Sequence, residues 1–168
     1  MFTAAHESVD YARSKKPLET TVEEVLRNAI QSEVETRVYY QKLAERAAKP
    51  EVRKRMLELS DNELVHRAKL ERRYREEIGK PAPDPEPVKI DLPPDLVNLD
   101  MAHALKHALE RERDSESYYR FMAERAQNGS ELEALFFELA EIEWKHKTDL
   151  QAEYESQMTD PEQFFRDF

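Results

Sequence analysis

The chain has 168 residues, a formal net charge of −10, a charged fraction of 37% and a hydrophobic fraction of 39%. With 2 glycines and no cysteine, the composition disfavours a sheet protein and excludes disulfides, thiolate metal sites, iron–sulfur clusters and cysteine catalysis. The acidic surface disfavours nucleic acid as a partner, and no apolar run is long enough to span a membrane. We therefore expect a soluble, cytoplasmic, all-α protein.

After a polar lead-in over residues 1–19, the sequence predicts a first helical hairpin over residues 20–79. Its first helix should begin with a capping box at Thr20 or Thr21 and run to about Ala48. The second helix should cover about 51–78, because Gly79 then ends the helical pattern. The junction between the two helices is tight, so they should pack antiparallel.

Residues 80–99 form a proline-rich segment without helical periodicity, which is long for a loop inside a compact domain. The preceding helix of about 28 residues spans roughly 42 Å, whereas about 19 extended residues reach roughly 60 Å. The segment is therefore long enough to run back along the whole bundle. It predicts a long crossover that joins two helical hairpins.

A second hairpin is predicted over residues 100–157, with a first helix that ends near Gly129 and a second helix capped by Ser130. Residues 158–168 form a tail whose aromatic side chains need cover, either on the bundle or on a partner subunit. All of residues 1–168 are expected to form a single domain. The expected fold is thus a four-helix bundle.

The two hairpins are copies of one two-helix unit. Glu63 and His66 recur 80 residues later as Glu143 and His146. Other positions recur 79 residues later, including Leu26 with Leu105, Glu33 with Glu112 and Tyr40 with Tyr119. An internal duplication of this kind indicates that both halves build the same structure.

Six polar residues lie on the core-facing stripes of the four helices, where leucine would be the ordinary choice. They are Glu33, Glu63, His66, Glu112, Glu143 and His146. Buried carboxylates without partners are costly, and two divalent cations would balance four of them. Carboxylate oxygen combined with imidazole nitrogen suits iron or manganese. One Glu from each of two helices and a Glu-x-x-His from each of the other two is the pattern of dinuclear carboxylate bundles.

A single Glu-x-x-His is weak support for a metal site, because the same spacing occurs on solvated helix faces. Two copies in register, each with a matching Glu on its partner helix, favour the metal interpretation. Tyr40 and Tyr119 either lie beside the metals, where they would hydrogen-bond a ligand or carry electrons, or simply pack with a hydroxyl at a polar position. The residues alone leave both readings of the tyrosines open.

With these motifs, the chain resembles the rubrerythrin-type branch of the ferritin-like superfamily from about residue 20 to 157. The resemblance rests on Glu33 and Glu112, each seven residues before a tyrosine, and on the two Glu-x-x-His motifs. It implies a ferritin-like four-helix bundle that binds two iron ions, with manganese or a mixed pair as alternatives. It also implies an oxidoreductase that reduces hydrogen peroxide or O2 with oxidation of Fe(II), in oxidative-stress defence or iron handling.

The resemblance further implies a role for each ligand. Glu63 and Glu143 would bridge the two ions, and Glu33 and Glu112 would be terminal ligands. Glu116 would be a further ligand, although it follows Glu112 by four residues where the family usually shows three.

Because the chain has no cysteine, it has no rubredoxin module, and such a protein would depend on an external electron donor. The resemblance implies a homodimer. Two alternatives remain: iron binding and storage like that of ferritin and bacterioferritin, and a metal-free helical interaction module in which the six polar residues hydrogen-bond to one another.

Overall fold

The computed structural model describes residues 19–159. This part of the chain forms four helices: α1 (Val22–Glu45), α2 (Pro50–Ile78), α3 (Met101–Arg125) and α4 (Glu131–Met158). No strand is present in that range, so the expected all-α four-helix bundle is confirmed. The lead-in up to residue 18 and the aromatic part of the tail, from residue 160, lie outside the described residues. None of the four helices is long and apolar enough to cross a membrane.

Local signals in the sequence set most of the helix ends. Thr21 and Glu24 form the reciprocal capping box of α1, and Gly79 ends α2 in the left-handed conformation, with φ 78°. Asp100 and Ser130 cap α3 and α4 by accepting a backbone hydrogen bond three residues on.

Two helices end earlier than predicted. α1 stops at Glu45, not near Ala48, because the following backbone pairs with the crossover. The Ala48 N–H donates to the Leu99 carbonyl, and the Leu99 N–H donates to the Arg46 carbonyl, both at 2.8 Å. α3 stops at Arg125, since Ala126 is already extended, with ψ 155°.

The long crossover is confirmed, and it follows α1 from its start to its end. Lys80 Nζ lies 3.0 Å from Glu23 Oε1, at the beginning of α1. Further along, the Glu86 N–H donates to the Gln31 side chain at 2.9 Å. The segment finally pairs with the residues after α1, as described above. Helix α3 therefore begins at the end of the bundle where α2 began.

The core consists of two apolar clusters with a polar layer between them. One cluster contains Leu26, Tyr74 and Phe136, and the other contains Met56 and Leu105 among its members. Burying such side chains stabilises the fold by about 1.5–3 kcal/mol each. On every helix the expected metal position falls between residues of one cluster and residues of the other, so the packing of both clusters fixes its height.

Packing is denser within each hairpin than between hairpins. Two salt bridges connect α2 with α4: Arg55 forms a double contact with Glu153, at 2.8 and 2.6 Å, and Arg73 pairs with Glu138. In the region between these two salt bridges, a groove separates α2 from α4 and leads to the polar layer.

Candidate metal centre

The first hairpin contributes a cluster of three residues, which we call the first trio: Glu33 from α1 and Glu63 and His66 from α2. His66 Nδ1 lies 3.0 Å from Glu63 Oε2 and 3.7 Å from Glu33 Oε2. Residues three apart on a helix share a face, which places Glu63 and His66 side by side. Packing of α1 against α2 then brings Glu33 to the same point.

The second hairpin repeats this arrangement as the second trio: Glu112 from α3 and Glu143 and His146 from α4. His146 Nδ1 lies 3.5 Å from Glu112 Oε2 and 3.5 Å from Glu143 Oε2. In each trio, one ligand atom from every residue lies within 4.8 Å of the other two.

The two trios meet at the centre of the bundle. The imidazole rings of His66 and His146 stack with their centroids 4.1 Å apart and their planes 16° from parallel. All four glutamates are buried, and none is more than 7% exposed. The six residues therefore form one continuous buried site to which both hairpins contribute equally.

This site holds more acid than its surroundings can neutralise. Burial raises the pKa of Glu33 to about 8, that of Glu63 to about 7 and that of Glu143 to about 8. Burial alone would lower the pKa of His146, but its hydrogen bonds with Glu112 and Glu143 raise that pKa to about 10. For Glu112, burial acts upward and the hydrogen bond with His146 acts downward, and the net shift of its pKa is downward.

The raised carboxyl pKa values and the raised pKa of His146 both reduce the net negative charge of the site. Two divalent cations would compensate the carboxylates better, because they bring four positive charges to four carboxylates within reach of two imidazoles. The donor set of carboxylate oxygens and imidazole nitrogens suits iron or manganese. The residues therefore fit a dinuclear centre, while their assignment as ligands stays a prediction.

The two tyrosines lie next to the site in different ways. Tyr40 is fully buried, and its hydroxyl donates a hydrogen bond to Glu112 of the opposite hairpin. Tyr119 is 4% exposed, and an interaction with Ser32 acts to lower the pKa of its phenol. Burial, and then the charges of Glu143 and Glu33, raise the pKa of Tyr119. The pKa values of both phenols are raised, so both keep their protons, and a catalytic role for them stays a prediction.

Glu116, the expected further ligand, lies outside both trios. Its carboxylate accepts from Arg120 Nε at 2.7 Å and from Lys147 Nζ. These two cations lower its pKa against the upward effect of burial. No local pattern in the sequence predicts these partners. The duplication does give one sign that Glu116 differs from the six repeated residues, because its counterpart in the first hairpin is Arg37.

The site opens into the groove between α2 and α4, which has a volume of about 730 Å³. His66 and His146 line its inner end, and its rim carries charged side chains of both signs, including Lys69, Lys145 and Asp149. The salt bridges of Arg73 and Arg55 to α4 lie on either side of this opening.

Fold and site together define the class: a ferritin-like four-helix bundle with a buried carboxylate–histidine site. Residues 24–93 match the family model of rubrerythrin, a range that includes the first trio. Over this range the chain is similar to rubrerythrin, as the motifs indicated.

The fold also matches the crystal structure of an uncharacterised conserved protein from Magnetospirillum magnetotacticum MS-1. The TM-score is 0.58 and the sequence identity 20%, and the match covers 82% of this chain and 95% of that one. At this identity the likeness supports the fold alone. A comparison with curated proteins gives no match.

Proposed function

We propose that this protein is a di-iron carboxylate protein that reduces hydrogen peroxide or O2 with oxidation of Fe(II). The observation that carries this proposal is the convergence of four buried glutamates and two histidines on one point between the hairpins. The rubrerythrin match over residues 24–93 supports the same chemistry.

The six side chains of the two trios would hold the ions. Bound iron would supply the electrons that reduce the oxidant. Tyr40 orients Glu112 by donating to its carboxylate, so that ligand is held in place before any metal arrives. The two apolar clusters exclude bulk water above and below the polar layer, which strengthens the attraction between the carboxylates and cations.

Electrons would come from outside residues 1–168 once the iron is oxidised, since these residues include no cysteine that could bind an iron–sulfur centre. We therefore propose an external electron donor and, with the resemblance as support, a homodimer with a role in peroxide defence or iron handling. Glu63 and Glu143 are the proposed bridging ligands.

The test begins with the full chain loaded with Fe(II) without oxygen, followed by hydrogen peroxide or air. Iron oxidation is followed by near-ultraviolet absorbance. A faster reaction with peroxide than with air, at a fixed iron content, would support the peroxidase. Faster reaction with air, continued iron uptake and a very large assembly on size exclusion would favour storage instead.

A further inference from the structure

A second pocket lies between α1 and α3, at the height of the polar layer. This α1/α3 pocket has a volume of about 380 Å³. Its walls carry the hydroxyl groups of Ser32 and Ser115, the carboxylates of Glu35 and Asp114, and the guanidinium of Arg111. One water occupies about 30 Å³ of liquid, so the pocket has room for several small molecules.

Tyr119 forms the inner end of this pocket. Its ring lines the pocket although only 4% of the residue is exposed, and its neighbour Tyr118 is 48% exposed. Tyr119 is close enough to Glu33 and Glu143 to feel the charges of both. Ser32, which also lines the pocket, directly precedes Glu33 on α1, so the α1/α3 pocket lies next to the first trio.

The duplication predicts an equivalent pocket at Tyr40, but there Arg111, which also borders the α1/α3 pocket, stands in place of a serine. Arg111 corresponds to Ser32, 79 residues earlier. Its Nε donates to Thr36 Oγ1 at 3.1 Å, its guanidinium lies 6.0 Å from the centre of the Tyr39 ring, and its Nη2 is 3.7 Å from Glu35 Oε2.

Thr36, Tyr39 and Glu35 are the counterparts of Ser115, Tyr118 and Asp114, which line the open pocket. A long side chain at one position and a short one at its counterpart thus make the two sides unequal. Accordingly, Tyr40 is 0% exposed and does not line the α1/α3 pocket.

We propose that the α1/α3 pocket is the entrance through which small, uncharged hydrogen-bonding molecules, hydrogen peroxide and water, reach the Tyr119 side of the site, and that Arg111 closes the equivalent entrance at Tyr40. The hydroxyl groups of Ser32, Ser115 and Tyr119 both donate and accept hydrogen bonds, as such molecules require. Arg111 lies near Glu35 at one side of the pocket, so Asp114 is left as the carboxylate without that partner, and the pocket as a whole favours neither strong anions nor strong cations. The importance of this entrance for turnover rests on the proposed function, but its existence does not.

The test is hydroxyl-radical labelling of the metal-free full chain, with radicals made by photolysis of hydrogen peroxide and side-chain oxidation located by mass spectrometry. In the unsubstituted protein, Tyr119 is expected to label faster than Tyr40. Ser32→Arg should reduce labelling of Tyr119 to the level of Tyr40, since the new guanidinium can pair with Asp114 and Ser115 as Arg111 does with their counterparts. Arg111→Ser should raise labelling of Tyr40.

Ser32→Ala is the matched control, because it leaves the pocket open and should keep Tyr119 labelled faster than Tyr40. Ser32→Leu provides a second, uncharged plug if the arginine variant fails to fold, as judged by helical content and melting temperature. Equal labelling of both tyrosines in the unsubstituted protein, or undiminished labelling of Tyr119 in a folded plugged variant, would overturn the proposal.

A second measurement separates this proposal from the proposed function. In Fe(II)-loaded protein, Ser32→Arg should slow oxidation by peroxide, and Arg111→Ser should speed it. If labelling responds as expected but no iron binds, the entrance stands and the di-iron function fails. If iron binds and labelling does not respond, the function stands and the entrance fails.

Discussion

The first and second hairpins carry the same three polar residues at the site but differ immediately around them. In both trios, one ligand atom from each of two glutamates and a histidine lies within 4.8 Å of the other two. Next to the second trio, Glu116 is held by Lys147 and Arg120, whereas Arg37 occupies the corresponding place in the first hairpin. The Nε atom of Arg37 is buried without a hydrogen-bond partner in the described part of the chain.

This contrast separates two demands on the sequence. A dinuclear centre would need the same ligands from each half, which would account for the repetition of those positions. The margins control charge and access around each half, and there the copies differ, as Ser32 and Arg111 also show. A duplicated bundle can therefore present two unlike sides to one nearly symmetric site.

The largest effect is expected when the Glu-x-x-His motif of one trio is removed while the other trio is left intact. Replacing both Glu63 and His66 with leucine, or both Glu143 and His146, should abolish binding of at least one metal ion. In the metal-free state each double variant should be more stable by about 1–4 kcal/mol, because buried charges give way to apolar packing. Urea unfolding with a chelator and metal analysis check both effects, and undiminished metal binding would contradict the shared site.

The pH dependence tests the excess of acid in both halves. The raised pKa values of Glu33, Glu63 and Glu143 mean that folded protein binds protons more tightly than unfolded protein between about pH 4.5 and 8. Stability of the metal-free protein should therefore fall as pH rises through that window. His146, with its pKa raised to about 10, acts in the same direction above pH 6.5.

Stabilisation by added metal should show the opposite trend and grow with pH, because ligands must lose protons to bind. Melting temperatures from pH 5 to 8, with and without Mn2+, measure both slopes. A metal-free protein that becomes more stable across this range would contradict the electrostatic account.

Replacement of the two equivalent tyrosines compares the two hairpins through smaller changes in stability. Tyr40→Phe removes the hydrogen bond to Glu112 and should destabilise the metal-free protein by about 0.5–1.5 kcal/mol. Tyr119→Phe should have a smaller effect, since Tyr119 donates to neither trio in the described contacts. Denaturant midpoints of the two variants decide the order, and a larger loss for Tyr119→Phe would reverse the assignment.

Glu116→Gln should give the smallest effect. Loss of the ion pairs with the partly exposed Arg120 and Lys147 should cost about 1 kcal/mol or less. Metal content should stay unchanged, because all six residues of the two trios remain. A loss of bound metal in this variant would instead identify Glu116 as a ligand, as the resemblance implied.

Much of this structure is predictable because it depends on short-range patterns. The capping box at Thr21, the stop at Gly79 and the three-residue spacing of each Glu-x-x-His act within single helices. The number of residues in the crossover is by itself enough to show that this segment can span the bundle. Repetition of these signals in two hairpins makes the convergence of the trios predictable as well.

Other features depend on contacts between distant segments and leave no local signal. Lys147 binds Glu116 across 31 residues of sequence, and Arg111 bonds Thr36 across 75. The early end of α1 likewise depends on pairing with Leu99. Such contacts could be suspected only at positions where the two hairpins carry different residues, since a residue that is not repeated serves only its own hairpin.

Anaerobic titration of the metal-free full chain with Fe(II) tests the central claim most directly, with bound iron measured after equilibrium dialysis. The account predicts about two iron ions per chain and loss of both when all four residues of the two Glu-x-x-His motifs are replaced by leucine. No bound iron, or the same iron content in that variant, would contradict a metal centre at these six residues.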